Sequence, residues 1–284
     1  LIFIFLWPLK DLQNQIAKGS GNINSIIFSR SAYTIIIFFI VYILFRFDNL
    51  NISNIINTFS LTLVFTFLIT ALIIGFKLNL YNHHIKMIIN KNKFYGSKMY
   101  FSSISASSWP EIMFIIIPFY LSLEDLSYYR LSLLMVSPMV LIGQNSAQII
   151  FSSSYGKKTI NFSMFRLNFI ILLLSIILFN IFLESIISFF FNEEYLQIIP
   201  IARIMSIGAF FSGNYQMFDA YMNANSHGNE ILLSCLIMTV STLILMPLLI
   251  PMMGIYGSAI IYLVGNISYF ISIYFFYKKV LKLS

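Results

Sequence analysis

A chain of 284 residues that is 59% hydrophobic and only 10% charged, with a mean hydropathy of +0.86, carries more apolar surface than a soluble core can absorb. Its runs are not β-barrel strands, because stretches such as Ile170-Ile171-Leu172-Leu173-Leu174 lack period-two alternation. Nor does the net charge of +7 mark a nucleic-acid binder: the lysines lie close to the apolar runs, with no basic helix or aromatic-interleaved patch beyond them. The composition predicts an all-α polytopic membrane protein.

The first element, Leu1 to Leu9, is apolar but too short to span. No basic region precedes it and no small-residue cleavage site follows, so it reads as the tail of a helix and not as a signal peptide. On that reading the chain is expected to be an N-terminally truncated portion of a longer protein. Eight whole spans are then predicted at roughly 31–47, 57–77, 99–121, 131–152, 167–191, 197–221, 231–250 and 255–277. When the gaps are assigned alternately to two sides, fourteen of the seventeen Lys and Arg fall on one side. Only Arg46 and Arg130 fall on the other, and Arg203 lies within a span. The positive-inside rule makes the basic side cytoplasmic, including the long loop Leu78 to Lys98 and the tail with Lys278 and Lys279. The loop mixes His83, His84 and lysines with Ile85, Met87, Ile88, Ile89 and Phe94. It reads either as a segment lying on the anionic inner leaflet or as a solvated connector. Pro110, Pro118, Pro138, Pro200, Gly208, Gly213, Pro247 and Gly265 punctuate the later spans. Bent spans of this kind line transporter cavities, although both residues are ordinary in membrane helices.

Enzyme chemistry finds no footing. Cys235 is the single cysteine, which excludes an intrachain disulfide and a thiolate cluster. His83, His84 and His227 follow no metal-ligand spacing, and no nucleophile elbow or Gly-rich phosphate loop is present. Candidate binding residues come instead from polar groups inside spans, each expensive in hydrocarbon. Glu111 stands mid-span after Trp109-Pro110, with Ser107 and Ser108 on its face; the group suits a proton, a sodium ion or a sugar hydroxyl. The alternative is a protonated acid satisfied by neighbouring helices. Gln144 and Gln148 are one turn apart with Asn145 alongside, and Ser212, Gln216 and Asp219 share a face of the span 197–221. Each amide can bind cargo or join helices; as a set they favour a polar cargo. Arg203, nine residues before Ser212, points away from that face in a regular helix. It is a candidate anion binder if Gly208 bends the helix, and otherwise snorkels to the interface.

The last third carries a resemblance. Glu194-Tyr195, Ile199-Pro200-Ile201-Ala202-Arg203-Ile204, Ile207-Gly208-Ala209-Phe210-Phe211 and Met222-Asn223-Ala224-Asn225 resemble the late helices of bacterial polysaccharide flippases. Leu249-Ile250-Pro251 and Gly254-Ile255-Tyr256-Gly257-Ser258-Ala259-Ile260 continue the likeness through a hairpin of the form Pro-x-x-Gly-Ile-x-Gly-x-Ala. These Wzx-like O-antigen and capsule repeat-unit transporters share a superfamily with the multidrug and toxin extruders. The resemblance implies a MATE-like bundle of two lobes, with residues 1–77 ending the first lobe, 78–98 the cytoplasmic inter-lobe loop and 99–284 the second lobe. It implies a flippase of the bacterial inner membrane that moves undecaprenyl-pyrophosphate-linked oligosaccharide by alternating access, without a cofactor, and with H+ or Na+ as coupling ion. Glu111 lies on the helix that holds an acid in the drug/sodium antiporters, a match of helix and not of motif. Membrane lipids, a polysaccharide polymerase and chain-length proteins are the implied partners. Two alternatives stay open: a multidrug or cation antiporter of the same superfamily, and a membrane-embedded polysaccharide polymerase or glycosyltransferase, against which the short outer gaps argue.

Overall fold

Each of the eight predicted spans coincides with an α-helix in the computed structural model, which describes residues 23–46, 51–74, 92–156, 159–191 and 193–283. The apolar tail 1–9 and most of the loop 78–98 lie outside the described residues. Among the described residues the α-helices are α1 (Ile23–Arg46), α2 (Ile52–Ile74), α3 (Ser97–Tyr120), α4 (Leu123–Ser154), α5 (Phe162–Phe190), α6 (Ile198–Ala224), α7 (Gly228–Met253) and α8 (Ile255–Leu283). A π-helical turn, Asn92–Gly96, precedes α3, and a 3-10 turn, Glu193–Gln197, precedes α6.

Several helices outrun the apolar segments that announced them. α4 begins eight residues before its predicted span because Ser122 and Asp125 form a capping box: the Ser122 hydroxyl accepts from Asp125 N–H at 3.1 Å, and Asp125 Oδ2 accepts from Ser122 N–H at 3.1 Å. Apolar length measures the hydrocarbon crossing, whereas caps and backbone bonding decide where the helix stops. α8 likewise runs through Lys278 and Lys279, with Lys278 Nζ 5.5 Å from the Tyr274 ring centre.

The segments Leu123–Ser154, Phe162–Phe190, Tyr195–Ala224, Gly228–Met253 and Ile255–Lys282 are long and apolar enough to cross a membrane, so the protein is multi-pass. Shorter apolar stretches, Ile35–Leu44 and Ser53–Ile69, lie in α1 and α2. α3 has 24 residues, length enough for about 36 Å at 1.5 Å per residue, but its serines and Glu111 dilute its hydropathy.

The chain divides into two compact units, Leu1–Asn82 and His83–Ser284. In the first, α1 packs on α2. Thr58, Thr62 and Thr66 form a buried stripe on α2, and each returns its hydroxyl proton to the carbonyl one turn back at 2.8 Å, which leaves no unpaired donor in an apolar setting.

The second unit centres on α6. Half of its apolar window is buried, against 17% for α5, whose Ile170, Leu174, Ile177 and Ile181 stay exposed as a lipid-facing surface. α6 packs closely on α4 and α8, α7 on α8, and α3 on α7. The α4–α6 contact needs small residues: a Cβ at Gly143 would fall on the backbone of Gly213, and one at Gly213 would lie 2.7 Å from Leu172 of α5. Asn168 of α5 seals the crossing by donating to Gly213 O at 3.4 Å and to Asn214 Oδ1 at 3.5 Å. Gly143→Val should force α4 from α6 and cost about 1–3 kcal/mol, lowering the melting temperature of the solubilised protein by roughly 2–10 °C. An unchanged melting curve would refute the close approach.

The α7–α8 hairpin explains the spacing of its glycines. Gly254 adopts φ +60° and donates to Ile250 O at 2.9 Å, a backbone that a side chain would strain. Three residues later, a Cβ on Gly257 would run into the Leu249 carbonyl.

Candidate functional site

Tyr215, Asp219 and Asn223 recur every fourth residue along α6 and so share one face near its C-terminal end. Asn223 Nδ2 donates to Asp219 O at 3.0 Å and to Asp219 Oδ2 at 3.2 Å. The other carboxylate oxygen, Oδ1, accepts from the Tyr269 hydroxyl of α8 at 2.7 Å. Behind Tyr269, the Cys235 thiol of α7 lies 3.9 Å from its hydroxyl oxygen, and the rings of Tyr215 and Tyr269 meet at 4.3 Å between centres, tilted by 55°. Ser212 donates to the Tyr215 hydroxyl at 3.4 Å. The π-helical turn closes the group, because the Tyr95 hydroxyl donates to Asn223 Oδ1 at 3.0 Å. Burial and the negative field of Asp219 push the Tyr95 phenol up to about 12, so it stays protonated and keeps donating.

This cluster binds α6, α7, α8 and the turn before α3 together at the end of the unit where other loops are also pinned. Asn225 donates to Ser154 O at 3.2 Å and accepts from Gly156 N–H at 3.2 Å, and Ile160 N–H donates to the Tyr277 hydroxyl at 3.2 Å. The opposite end is held by aromatic contacts, Tyr128 with Tyr195 at 6.2 Å and Phe191 with Tyr195 at 5.4 Å. Each carboxylate oxygen of Asp219 has one donor among the side chains above and a spare lone pair. The group therefore has acceptor capacity left for a proton or a cation.

The structure brings together only some of the residues singled out from the sequence. Ser212 is buried, while Gln216 and Asp219 are half-buried, along the α6 face that spacing indicated. Gln216 Nε2 reaches Val140 O of α4 at 3.5 Å. Gln144 and Asn145 lie one turn further along α4 and are exposed, with Gln148 partly so. Glu111 is exposed on α3, while Trp109 and Met113 on either side turn inward at 4% and 0% exposure. Arg203 is exposed near the start of α6, on the opposite side of the helix from Asp219. Tyr269 as the partner of Asp219, Cys235 behind Tyr269 and Tyr95 on Asn223 were not legible from the sequence. The four-residue recurrence 215, 219, 223 was there to be read, but nothing in sequence places α8 or the turn before α3 beside it.

Among solved structures, the chain is similar to an outward-facing multidrug resistance MATE family transporter of the MOP superfamily, with a TM-score of 0.78 and 14% identity, over 99% of this chain and 67% of the other. It is also similar to the lipid II flippase MurJ in an inward closed conformation, with a TM-score of 0.67 and 17% identity, over 97% of this chain and 60% of the other. At such identities the likeness is one of fold, and the fold is the MATE-like helical bundle. No protein-family model and no curated protein sequence matches the chain.

Proposed function

We propose that the chain belongs to a flippase that moves an undecaprenyl-pyrophosphate-linked oligosaccharide, an O-antigen or capsular repeat unit, from the inner to the outer leaflet of the bacterial inner membrane. The observation that carries the reading is the fold, shared over nearly the whole chain with both a transporter and a lipid flippase. Fold alone does not select a cargo; the resemblance over residues 194–277 supplies that part. Alternating access would expose the cargo site to one leaflet at a time.

Coupling is assigned to Asp219. It is the single acidic side chain among the described members of its cluster, so it supplies one negative charge, matched to a proton or a monovalent cation such as Na+. Ion binding there would shift the rocking equilibrium by its differential affinity for the two states. Glu111, Gln144, Asn145 and Arg203 are polar and exposed on membrane-length helices, where contact with hydrocarbon is costly, and are assigned to contact with the polar cargo. A polymerase and chain-length proteins would act on the exported unit.

A second reading, a multidrug or cation antiporter, is favoured by the higher TM-score to the drug transporter and by the aromatic wall of Tyr215 and Tyr269 beside the carboxylate. Proteoliposomes separate the two. With the protein reconstituted, a fluorescent polyprenyl-pyrophosphate oligosaccharide is expected to become accessible to a membrane-impermeant quencher within minutes, while a lipophilic cationic dye is not extruded. Dye extrusion without oligosaccharide movement would replace the flippase by the antiporter.

A further inference from the structure

We infer that the groove between the first turns of α7 and the last turns of α8 is a site for phosphatidylethanolamine. In it, Lys279 takes the phosphodiester, Glu230 takes the primary ammonium, and an apolar stripe of α7 takes an acyl chain. The groove encloses about 370 Å³, and its walls include Asn229, Glu230 and Leu233 of α7 with Phe276, Lys279 and Val280 of α8.

The acid and the cation come from different helices and line one groove, yet they do not neutralise each other, because their charged atoms lie more than 4.0 Å apart. Glu230 is held at one edge by His227, whose Nδ1 stands 4.0 Å from Oε2, the outer limit of an ion pair; Oε1 keeps its acceptor sites. Lys279 is exposed, whereas its neighbour Lys278 is turned onto the Tyr274 ring at 5.5 Å. Two opposite charges too far apart to pair are matched by a zwitterion whose own charges are set apart by a short linker, as in an ethanolamine headgroup. A primary ammonium also brings three N–H donors for Glu230 and the Asn229 amide oxygen, which a quaternary choline lacks. Both charges stand within about 6 Å of a helix end at 1.5 Å per residue, the depth of headgroups. The acyl chain has a path inward from there. Leu233, Ile237, Val240 and Ile244 recur at steps of four, three and four on one face of α7, and all four are exposed. An anionic phosphatidylglycerol would leave Glu230 without a partner, and a free zwitterion would leave the stripe unused.

The site does not rest on the flippase reading, and its test is separate. Protein in detergent is incubated in turn with the dioleoyl forms of phosphatidylethanolamine, phosphatidylcholine and phosphatidylglycerol. The excess is removed, and retained lipid is counted by native mass spectrometry. One phosphatidylethanolamine is expected to remain bound per wild-type protein, with the other two lipids held about tenfold more weakly, the usual effect of losing a charge-assisted hydrogen bond. Glu230→Gln should bring phosphatidylethanolamine down to the level of phosphatidylglycerol. Lys279→Gln should weaken all three lipids, and Lys278→Gln, on the Tyr274 side, should change none. Leu233→Trp, which keeps both charges and fills the groove, should also lower retention. Glycerophosphoethanolamine, the same headgroup without tails, should not displace the bound lipid at equal concentration. Equal retention of the three lipids by wild type, an unchanged preference in Glu230→Gln, or unchanged binding in Lys279→Gln would reduce the groove to a non-specific apolar surface. Preference for phosphatidylglycerol or for undecaprenyl phosphate would make it an anion site and overturn the proposal, as would displacement by the tail-less headgroup. If Glu230→Gln fails to fold, the Leu233→Trp variant and the three-lipid comparison on wild type still decide.

Discussion

In Asp219→Asn, transport driven by an ion gradient is expected to fall about 5–150-fold, the range of an ordinary coupling free energy between two sites. The substitution leaves an oxygen that can still accept from Tyr269, but the side chain can no longer gain or lose charge. Packing at the end of α6 should therefore survive, and the loss should appear in gradient dependence and not in folding. Slow, gradient-independent exchange of cargo should persist, because binding and rocking do not themselves need the charge. Tyr269→Phe removes one donor to the carboxylate and keeps the tilted ring contact with Tyr215, so a smaller loss is expected. The measurement is uptake in proteoliposomes with and without an imposed H+ or Na+ gradient. If Asp219→Asn keeps full gradient dependence while Glu111→Gln abolishes it, the coupling carboxylate is Glu111 and the Asp219 cluster is structural.

Deletion of the gene is expected to abolish surface polysaccharide and to leave lipid-linked repeat units on the inner leaflet. This is the larger effect, since a pyrophosphate and several sugars cannot cross the hydrocarbon core unaided: even one charged side chain at the bilayer centre costs about 2.5–3.5 kcal/mol by the most lenient scale. Accumulation distinguishes a transport defect from a synthesis defect, in which lipid-linked units would be absent. Surface polysaccharide that persists in a strain with no second flippase would remove the reading. Lipid-linked polymer in place of single units on the inner leaflet would place the block after chain growth and would contradict a flippase of single repeat units. Arg203→Ala and Gln144→Ala should reduce export without collecting polymer, since both side chains are exposed on membrane-length helices.

The sequence by itself determined that the chain is helical and membrane-embedded, because apolar length and the absence of alternation are properties of a single segment. It placed Ser212, Gln216 and Asp219 on one side of α6 for the same reason: spacing along one helix needs no partner. It also held the α7–α8 hairpin, since Pro251, Gly254 and Gly257 answer to local backbone geometry and to a carbonyl only eight residues away. What the Asp219 carboxylate touches was decided only by tertiary structure. Tyr269 is fifty residues further on, and Tyr95 is joined to Asn223 across 128 residues, distances over which no periodicity carries information. Glu111 shows the converse. Its position in an apolar run made it conspicuous, but whether a side chain at that position turns inward with Trp109 and Met113 or outward is fixed by how α3 rolls against α7. The close approach of Gly143 to Gly213 belongs to the same class, because two small residues seventy positions apart become a contact only when α4 and α6 cross.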